Sequence, residues 1–221
     1  MPMTRISDSE LRERLAVYYV ADPEQTDRDI LELIDAALAG GVTSVQLRAK
    51  RMGGRAMFDL AGDLRDRCAA AGALFFVNDR VDIAIAAEAD GVHVGVHDLP
   101  LEETRRLIGG GMVLGYSPLN LAEAAAAKAR EADYVGLGPV FGTASKADAQ
   151  PELGLAALAE QIAVAGLPAV GIGGVGVDNA AEVIRAGADG VAVISAIQGA
   201  ADPKLAAESL VTIVERTRSG R

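Results

Sequence analysis

The sequence predicts an α/β protein, a closed (β/α)8 TIM barrel forming one domain over residues 1–221, with the barrel itself spanning about 15–217. Three observations carry that expectation. The length, 221 residues, matches the roughly 200–250 that one such barrel occupies. A short phrase recurs along the chain: Ala39-Gly40-Gly41-Val42, Ala71-Gly72-Ala73-Leu74, Glu88-Ala89-Asp90-Gly91-Val92, Glu131-Ala132-Asp133-Tyr134-Val135 and Gly187-Ala188-Asp189-Gly190-Val191. Each copy follows an Ala-rich helical pattern and precedes a β-branched run, as where a helix stops on a left-handed Gly and a buried strand begins. Finally, the apolar runs number eight and alternate with helical patterns.

Taken in order, a strand at 16–21 leads to a helix at 29–39, and a strand at 44–49 to a helix at 55–71. Strands at 74–78 and 91–95 follow, then a strand at 113–117 with a helix at 119–131. The last three units pair 134–140 with 155–165, 169–173 with 179–186, and 190–195 with 203–217. Strands this short and apolar throughout imply a parallel sheet covered on both faces. A doubly wound open sheet is the second choice. No Pro/Gly/Ser-rich linker divides the chain.

Composition excludes several classes. Half the residues are apolar, enough for a large core without covalent staples. Lys and Arg total 21 against 31 Asp and Glu, a net charge of −10, which disfavours binding to nucleic acid or to an anionic membrane. Aromatics make up 4% and Trp is absent, so stacking platforms for single strands are not expected. The single cysteine, Cys68, rules out a disulfide framework and a Cys-rich zinc site, and reads as a small helix residue. The start, Met1-Pro2-Met3-Thr4-Arg5, runs into the charged stretch 7–14, and no apolar stretch reaches the 18 residues of a membrane helix. These features predict a cytoplasmic protein with no membrane partner. Its acidic surface and apolar helices suggest a homo-oligomer.

In such a barrel the reactive groups follow the carboxyl ends of the strands. The residues there are Asp22; Gln46, Arg48 and Lys50; Asn78, Asp79 and Arg80; His93, Gly95 and Asp98; Ser117; Thr143, Ser145 and Lys146; Gly173 and Gly174; and Ser195. Gln46, Arg48 and Lys50 alternate with apolar residues and so share a face. Either they pair internally, with Asp79 or Asp98, or they cradle an anion together with Lys146. Asp79 and Asp98 offer hard oxygen ligands that suit Mg2+ beside a phosphate. The plainer readings are a helix cap near Arg80 for Asp79 and a turn or N-cap residue for Asp98. His93 is either a satisfied core histidine or a substrate contact, and His97 a loop residue. Gly171-Ile172-Gly173-Gly174 and Ile194-Ser195 mark a second anion site, where barrels hold phosphate with backbone N–H groups.

These motifs resemble a known family. Gln46-Leu47-Arg48-Ala49-Lys50, Val77-Asn78-Asp79-Arg80-Val81-Asp82, Ala89-Asp90-Gly91-Val92-His93-Val94-Gly95 with Asp98-Leu99-Pro100, Gly136-Leu137-Gly138-Pro139-Val140-Phe141, and Gly171-Ile172-Gly173-Gly174-Val175 with Asn179-Ala180 are similar to those of thiamine-phosphate synthases. The resemblance runs from about Tyr18 to Ile197. It implies a transferase of thiamine biosynthesis that joins 4-amino-5-hydroxymethyl-2-methylpyrimidine diphosphate to a thiazole phosphate and releases pyrophosphate. It further implies that Gln46, Arg48, Lys50, Asn78, Ser117 and Lys146 bind the pyrimidine diphosphate, with Arg48, Lys50, Lys146 and Ser117 assisting catalysis. Asp79 and Asp98 would hold Mg2+, and Thr143, Ser145, Gly174, Ile194 and Ser195 the thiazole phosphate.

The chain departs from the family's pattern at Val96 and His97, at Ser145 in the Thr143-Ala144-Ser145-Lys146 run, and at Leu119, where a His is common. A thiazole tautomerase, which relies on a His in that region, and a non-catalytic phosphate binder are the alternatives.

Overall fold

A computed structural model describes residues 6–142 and 151–220. Eight strands close into a barrel in chain order: β1 Val17–Ala21, β2 Ser44–Leu47, β3 Leu74–Asn78, β4 Gly91–Gly95, β5 Val113–Ser117, β6 Tyr134–Leu137, β7 Ala169–Ile172 and β8 Gly190–Val193. All neighbours are parallel, and β8 returns to pair with β1. The open-sheet alternative is therefore excluded. Around the barrel lie α1 Asp8–Arg14, α2 Ile30–Ala39, α3 Gly54–Ala71, α4 Val81–Ala86, α5 Leu101–Ile108, α6 Leu121–Ala126, α7 Gly154–Ala165, α8 Ala180–Arg185, α9 Ser195–Gln198 and α10 Pro203–Ser219.

Strand alternation divides the apolar residues into two cores. Val17, Tyr19, Val45, Phe75, Val77, Val92, Leu114 and Val135 face outward onto the helices. Tyr18, Val20, Leu74, Phe76, Val113, Tyr134, Val170 and Ala192 face the axis, joined at the amino-terminal end by Leu11 and Leu15. The charged stretch 7–14 is thus a helix whose one buried position, Leu11, plugs the barrel. Ser7 starts it by accepting the Glu10 N–H at 3.2 Å.

Several elements end before the sequence pattern suggests. The sixth strand stops at Leu137, where Pro139 has no N–H to offer the ladder. The eighth stops at Val193 because Ser195 already opens α9. The second stops at Leu47, although the Arg48 N–H still reaches Ala21 O at 2.9 Å. Helix α6 begins only at Leu121, behind an Asn120 side chain that accepts the Glu123 N–H at 2.9 Å.

The repeated Ala-Asp phrase has a mechanical role. Asp90, Asp133 and Asp189 each stand just before a strand and accept a backbone N–H from the start of the preceding strand: Phe75 at 2.8 Å, Leu114 at 2.8 Å and Ala169 at 2.9 Å. These carboxylates stitch β3 to β4, β5 to β6 and β7 to β8 at the end opposite the reactive loops. Asp133 is also paired with buried Arg105 at 2.6 Å, whose guanidinium additionally donates to the carbonyls of Gly109, Met112 and Glu131. Among the described residues no helix is long and apolar enough to cross a membrane.

Two outcomes follow from this packing. Asp133→Ala strands the Arg105 charge in the interior and should cost about 3–5 kcal/mol of stability, read by urea unfolding, while substrate KM values stay unchanged. Cys68 is fully buried, and burial above all, with Asp90 second, pushes its thiol up to about 12. It should resist thiol reagents in the native protein and react only on unfolding.

Candidate active site

The carboxyl ends of the strands open into one cavity of about 280 Å³. Its walls include Gln46, Arg48, Lys50, Asn78, Asp79, Asp98, Ser117, Gly174, Ile194 and Ser195. Of the described residues that the sequence placed at this mouth, all but Asp22 and Arg80 line the cavity. Thr143, Ser145 and Lys146 lie outside the described residues. The cavity has two halves. Strands β2 to β5 supply polar groups, whereas Val20, Val170, Ile172 and Ala192, from β1, β7 and β8, form an apolar wall.

Arg48 follows β2 on the inward face and is 8% exposed. Its partner is neither Asp79 nor Asp98, the internal partners weighed from the sequence, but Asp22, just after β1 and 1% exposed. The β1–β2 register sets Val20 beside Gln46 and so brings the ends of both strands together. Asp22 is itself held at both backbone groups by Gln198 of α9: its N–H donates to Oε1 at 3.1 Å, and its carbonyl accepts from Nε2 at 2.9 Å. Tyr19 adds a hydroxyl bond to the same Gln198 oxygen at 3.1 Å. Arg48 is thereby tied, through Asp22, to the segment that follows β8. Sequence reading placed Asp22 at the rim without a role, and its partner Gln198 was missed because the two are 176 positions apart.

Lys50 reaches further out, half-exposed, and pairs with Asp79 at 2.6 Å. The backbone of Asp79 has φ +62°, a left-handed conformation that Asp tolerates better than most residues. Its carboxylate does not cap α4, whose N-terminal residue Arg80 makes no side-chain cap bond either. The helix-cap reading of Asp79 is thus set aside. Burial raises the Asp79 carboxyl above its ordinary range; Lys50 works against that shift and the neighbouring Asp98 adds to it. Asp98 Oδ2 also closes the turn after β4 by accepting the Gly95 N–H at 2.8 Å.

The charge count at this mouth is informative. Among the described residues, two cations, Arg48 and Lys50, stand against three carboxylates, Asp22, Asp79 and Asp98. A unit charge at ~4 Å is worth about 4 kcal/mol at an effective dielectric of 20, so Asp22 largely offsets the attraction of Arg48 for an incoming anion. What Arg48 retains is a fixed set of N–H donors. Asp79 and Asp98 are two oxygen ligands on the open side of the cavity, a donor set suited to a hard divalent cation that completes its shell with water and phosphate oxygens. No group of three or more potential ligand side chains converges among the described residues.

Across the cavity, Gly173 and Gly174 follow β7 with φ of +94° and +65°. A Cβ on Gly174 would meet Gly142 O at 2.6 Å, so the backbone must be bare for the loops after β6 and β7 to pack. Asn179 fixes this turn, donating from Nδ2 to Gly174 O at 2.9 Å and accepting the Gly176 N–H at 2.9 Å. Ile194 and Ser195 enter beside it at the start of α9.

His93 fits the reading of a satisfied core histidine. It is buried and hydrogen-bonded, to Tyr134 at 2.9 Å and Ser117 at 2.8 Å, and it also lines the cavity. The departures Val96, His97 and Leu119 all lie on the rim.

The sequence and the barrel are similar to those of known proteins. The thiamine monophosphate synthase family model matches residues 17–197. The chain belongs to that family. It is 49% identical over 191 residues to the thiamine-phosphate synthase of Moorella thermoacetica, covering 86% of this chain and 91% of that protein. It is 44% identical to the thiamine-phosphate synthase of Bacillus velezensis over 99% of both chains. Among solved structures, thiamine phosphate pyrophosphorylase from Pyrococcus furiosus superposes with a TM-score of 0.87 at 40% identity, covering 94% of this chain and 98% of that one. Membership in the thiamine monophosphate synthase family makes the chain a transferase of thiamine biosynthesis.

The Asp22–Arg48 pair can be tested directly. Asp22→Ala leaves a buried guanidinium without its carboxylate and should cost about 3–5 kcal/mol in denaturant unfolding. Lys50→Ala, which removes a half-exposed partner, should cost no more than about 1 kcal/mol.

Proposed function

We propose that this cavity joins 4-amino-5-hydroxymethyl-2-methylpyrimidine diphosphate to a thiazole phosphate, releasing pyrophosphate and leaving thiamine phosphate. The observation that carries this reading is a cavity that sets Arg48 and Lys50 beside the carboxylates Asp79 and Asp98, in a chain similar to thiamine-phosphate synthases. Such a mouth holds a diphosphate only when further positive charge arrives with it. Asp79 and Asp98 would hold Mg2+, and Lys146 would contribute from outside the described residues. Bound there, Mg2+ would supply charge stabilisation to the leaving pyrophosphate.

The side chains divide the remaining work. Arg48, oriented by Asp22, presents N–H donors to the diphosphate, and Lys50 exchanges its contact with Asp79 for one with a phosphate oxygen. Asn78, Gln46 and Ser117 bind the pyrimidine half along the polar wall. The apolar wall accepts the thiazole, while Gly174, Ile194 and Ser195, with Thr143 and Ser145, take its phosphate. The pyrimidine C–O bond breaks first and its electron pair leaves with pyrophosphate. The ring amino group spreads the resulting positive charge, and the thiazole nitrogen then forms the new C–N bond. No side chain has to act as a nucleophile or remove a proton in that sequence. Positioning and charge stabilisation are the protein's contribution.

The tautomerase reading requires a His in the region of Leu119, and an apolar side chain that is 46% exposed stands there instead. A binder without catalysis predicts no product.

Incubating the protein with both substrates and Mg2+ should release pyrophosphate only when all three are present. Isomerisation of the thiazole phosphate alone would support the tautomerase instead. Asp98→Asn should lower kcat by about 100-fold or more at a fixed Mg2+ concentration, partly restored by raising it. A variant with wild-type Mg2+ dependence would remove Asp98 from the metal role. Ser195→Ala should raise KM for the thiazole phosphate by about tenfold and leave that for the pyrimidine diphosphate unchanged. The reverse order would mean that the two subsites are exchanged.

A further inference from the structure

A chain of five side chains crosses the barrel beneath the cavity. Gln46 Nε2 donates to the Tyr18 hydroxyl at 2.8 Å, and Tyr18 and Tyr134 share a hydroxyl bond of 2.9 Å. Tyr134 is 2.9 Å from His93 Nδ1, and His93 Nε2 is 2.8 Å from Ser117 Oγ. Tyr18, Gln46, His93 and Ser117 border the cavity, whereas Tyr134 lies wholly within the protein. The two ends of the chain, Gln46 and Ser117, are two of the three groups assigned above to the pyrimidine.

The four links fix one another. With the Gln46 amide nitrogen donating to Tyr18, the Tyr18 hydrogen is directed to the Tyr134 oxygen. The Tyr134 hydrogen then goes to His93 Nδ1, which places the imidazole hydrogen on Nε2, facing Ser117. Ser117 accepts it, and its own hydrogen is left for the cavity. Either direction along the chain gives every hydroxyl hydrogen an acceptor, and the orientation of the Gln46 amide, Nε2 toward Tyr18, selects this one. The opposite polarity needs the amide turned over and the imidazole hydrogen on Nδ1. Burial first of all raises both phenols above their ordinary pKa, so neither gives up its hydrogen at neutral pH.

The surroundings are built for this chain. The Tyr134 and His93 rings meet with centroids 5.4 Å apart, and Phe76 packs edge-on to Tyr134 at 5.6 Å. The space exists because β5 carries Gly115, where a Cβ would overlap both the Tyr134 ring and His93 Nδ1.

We propose that Tyr18, Tyr134 and His93 form a positioning relay that turns the Gln46 carbonyl oxygen and the Ser117 hydroxyl hydrogen toward the substrate, making the pocket selective for a pyrimidine with an amino group over one with an oxo group in its place. An amino group donates to the Gln46 oxygen; an oxo group sets two acceptors against each other. The inference rests on the functional reading above, and it concerns how selectivity is set. Tyr18 and Tyr134 act through Gln46 and His93 and are positioning residues.

The test has two parts. Imidazole 15N shifts are readily assigned because the chain has only two histidines, His93 and His97. His93 in the wild-type protein should be the neutral tautomer with hydrogen on Nε2; hydrogen on Nδ1, or a cationic ring at neutral pH, overturns the relay. Second, the unreactive monophosphates of the 4-amino and 4-oxo pyrimidines are compared as competitive inhibitors, so that binding is read apart from chemistry. The wild-type protein should prefer the amino compound. Tyr134→Phe and Tyr18→Phe should each reduce that preference by about 10- to 100-fold, with KM for the thiazole phosphate within about twofold of wild type. A wild-type ratio near one, or a ratio unchanged in both variants, sinks the proposal. Absence of pyrophosphate release by the wild-type protein would instead remove the functional reading, while the tautomer would still report on the relay.

Discussion

Closing eight parallel strands on themselves sends every second side chain to the barrel axis, where each must find a partner or an apolar neighbour. At the amino-terminal end the demand is met by Leu11, Leu15, Leu74 and Val113. Toward the carboxyl end, β2 to β5 turn inward Gln46, Asn78, His93 and Ser117, and a buried polar group left unpaired costs about 1–3 kcal/mol. The hydrogen-bonded chain from Gln46 to Ser117 satisfies its three inner members, Tyr18, Tyr134 and His93, within the protein and leaves its two ends facing the cavity. Substrate recognition and core satisfaction are thus one arrangement.

The same constraint governs charge. Arg48 is carried inward by β2 and would be untenable alone; Asp22, brought alongside by β1, makes its burial tolerable. Neutralising Arg48 also removes most of its long-range pull on a diphosphate, leaving directed donors in its place. Under the proposed reading a bound cation would supply the missing attraction. A paired-carboxylate corner in which Asp79 is raised by burial and by Asp98 is the counterpart of that need. Stability is managed at the far end, where Asp90, Asp133 and Asp189 bind strand to strand. Variants there should alter folding and spare chemistry.

Much of this was legible in the chain. The eight apolar runs and the Ala-Asp-Gly phrases located every strand, since parallel strands are buried on both faces and read as continuous apolar stretches. Strand ends were less visible: Val193 gives way to α9, and Leu137 to Gly138-Pro139, without any drop in apolar character. The helix α1 was hidden in a charged stretch because only Leu11 in it is buried. Of the cavity lining, Gln46, Arg48, Lys50, Asn78, Asp79, Asp98, Ser117, Gly174, Ile194 and Ser195 were legible from their place at the strand ends. Tyr18 and Tyr134 were not, because an aromatic residue inside an apolar strand gives no local sign that its hydroxyl has work to do.

By itself the sequence determined the barrel and the rim where its polar strand ends gather, because periodicity, glycine stops and polar strand ends are local properties. Only the tertiary structure decided who pairs with whom. Arg48 took Asp22 in place of Asp79 or Asp98, and Asp22 took Gln198, 176 positions away. Tyr18 met Tyr134 across 116 positions. Those pairings depend on register and on which side chains share a level of the barrel axis, and register exists only once the sheet has closed.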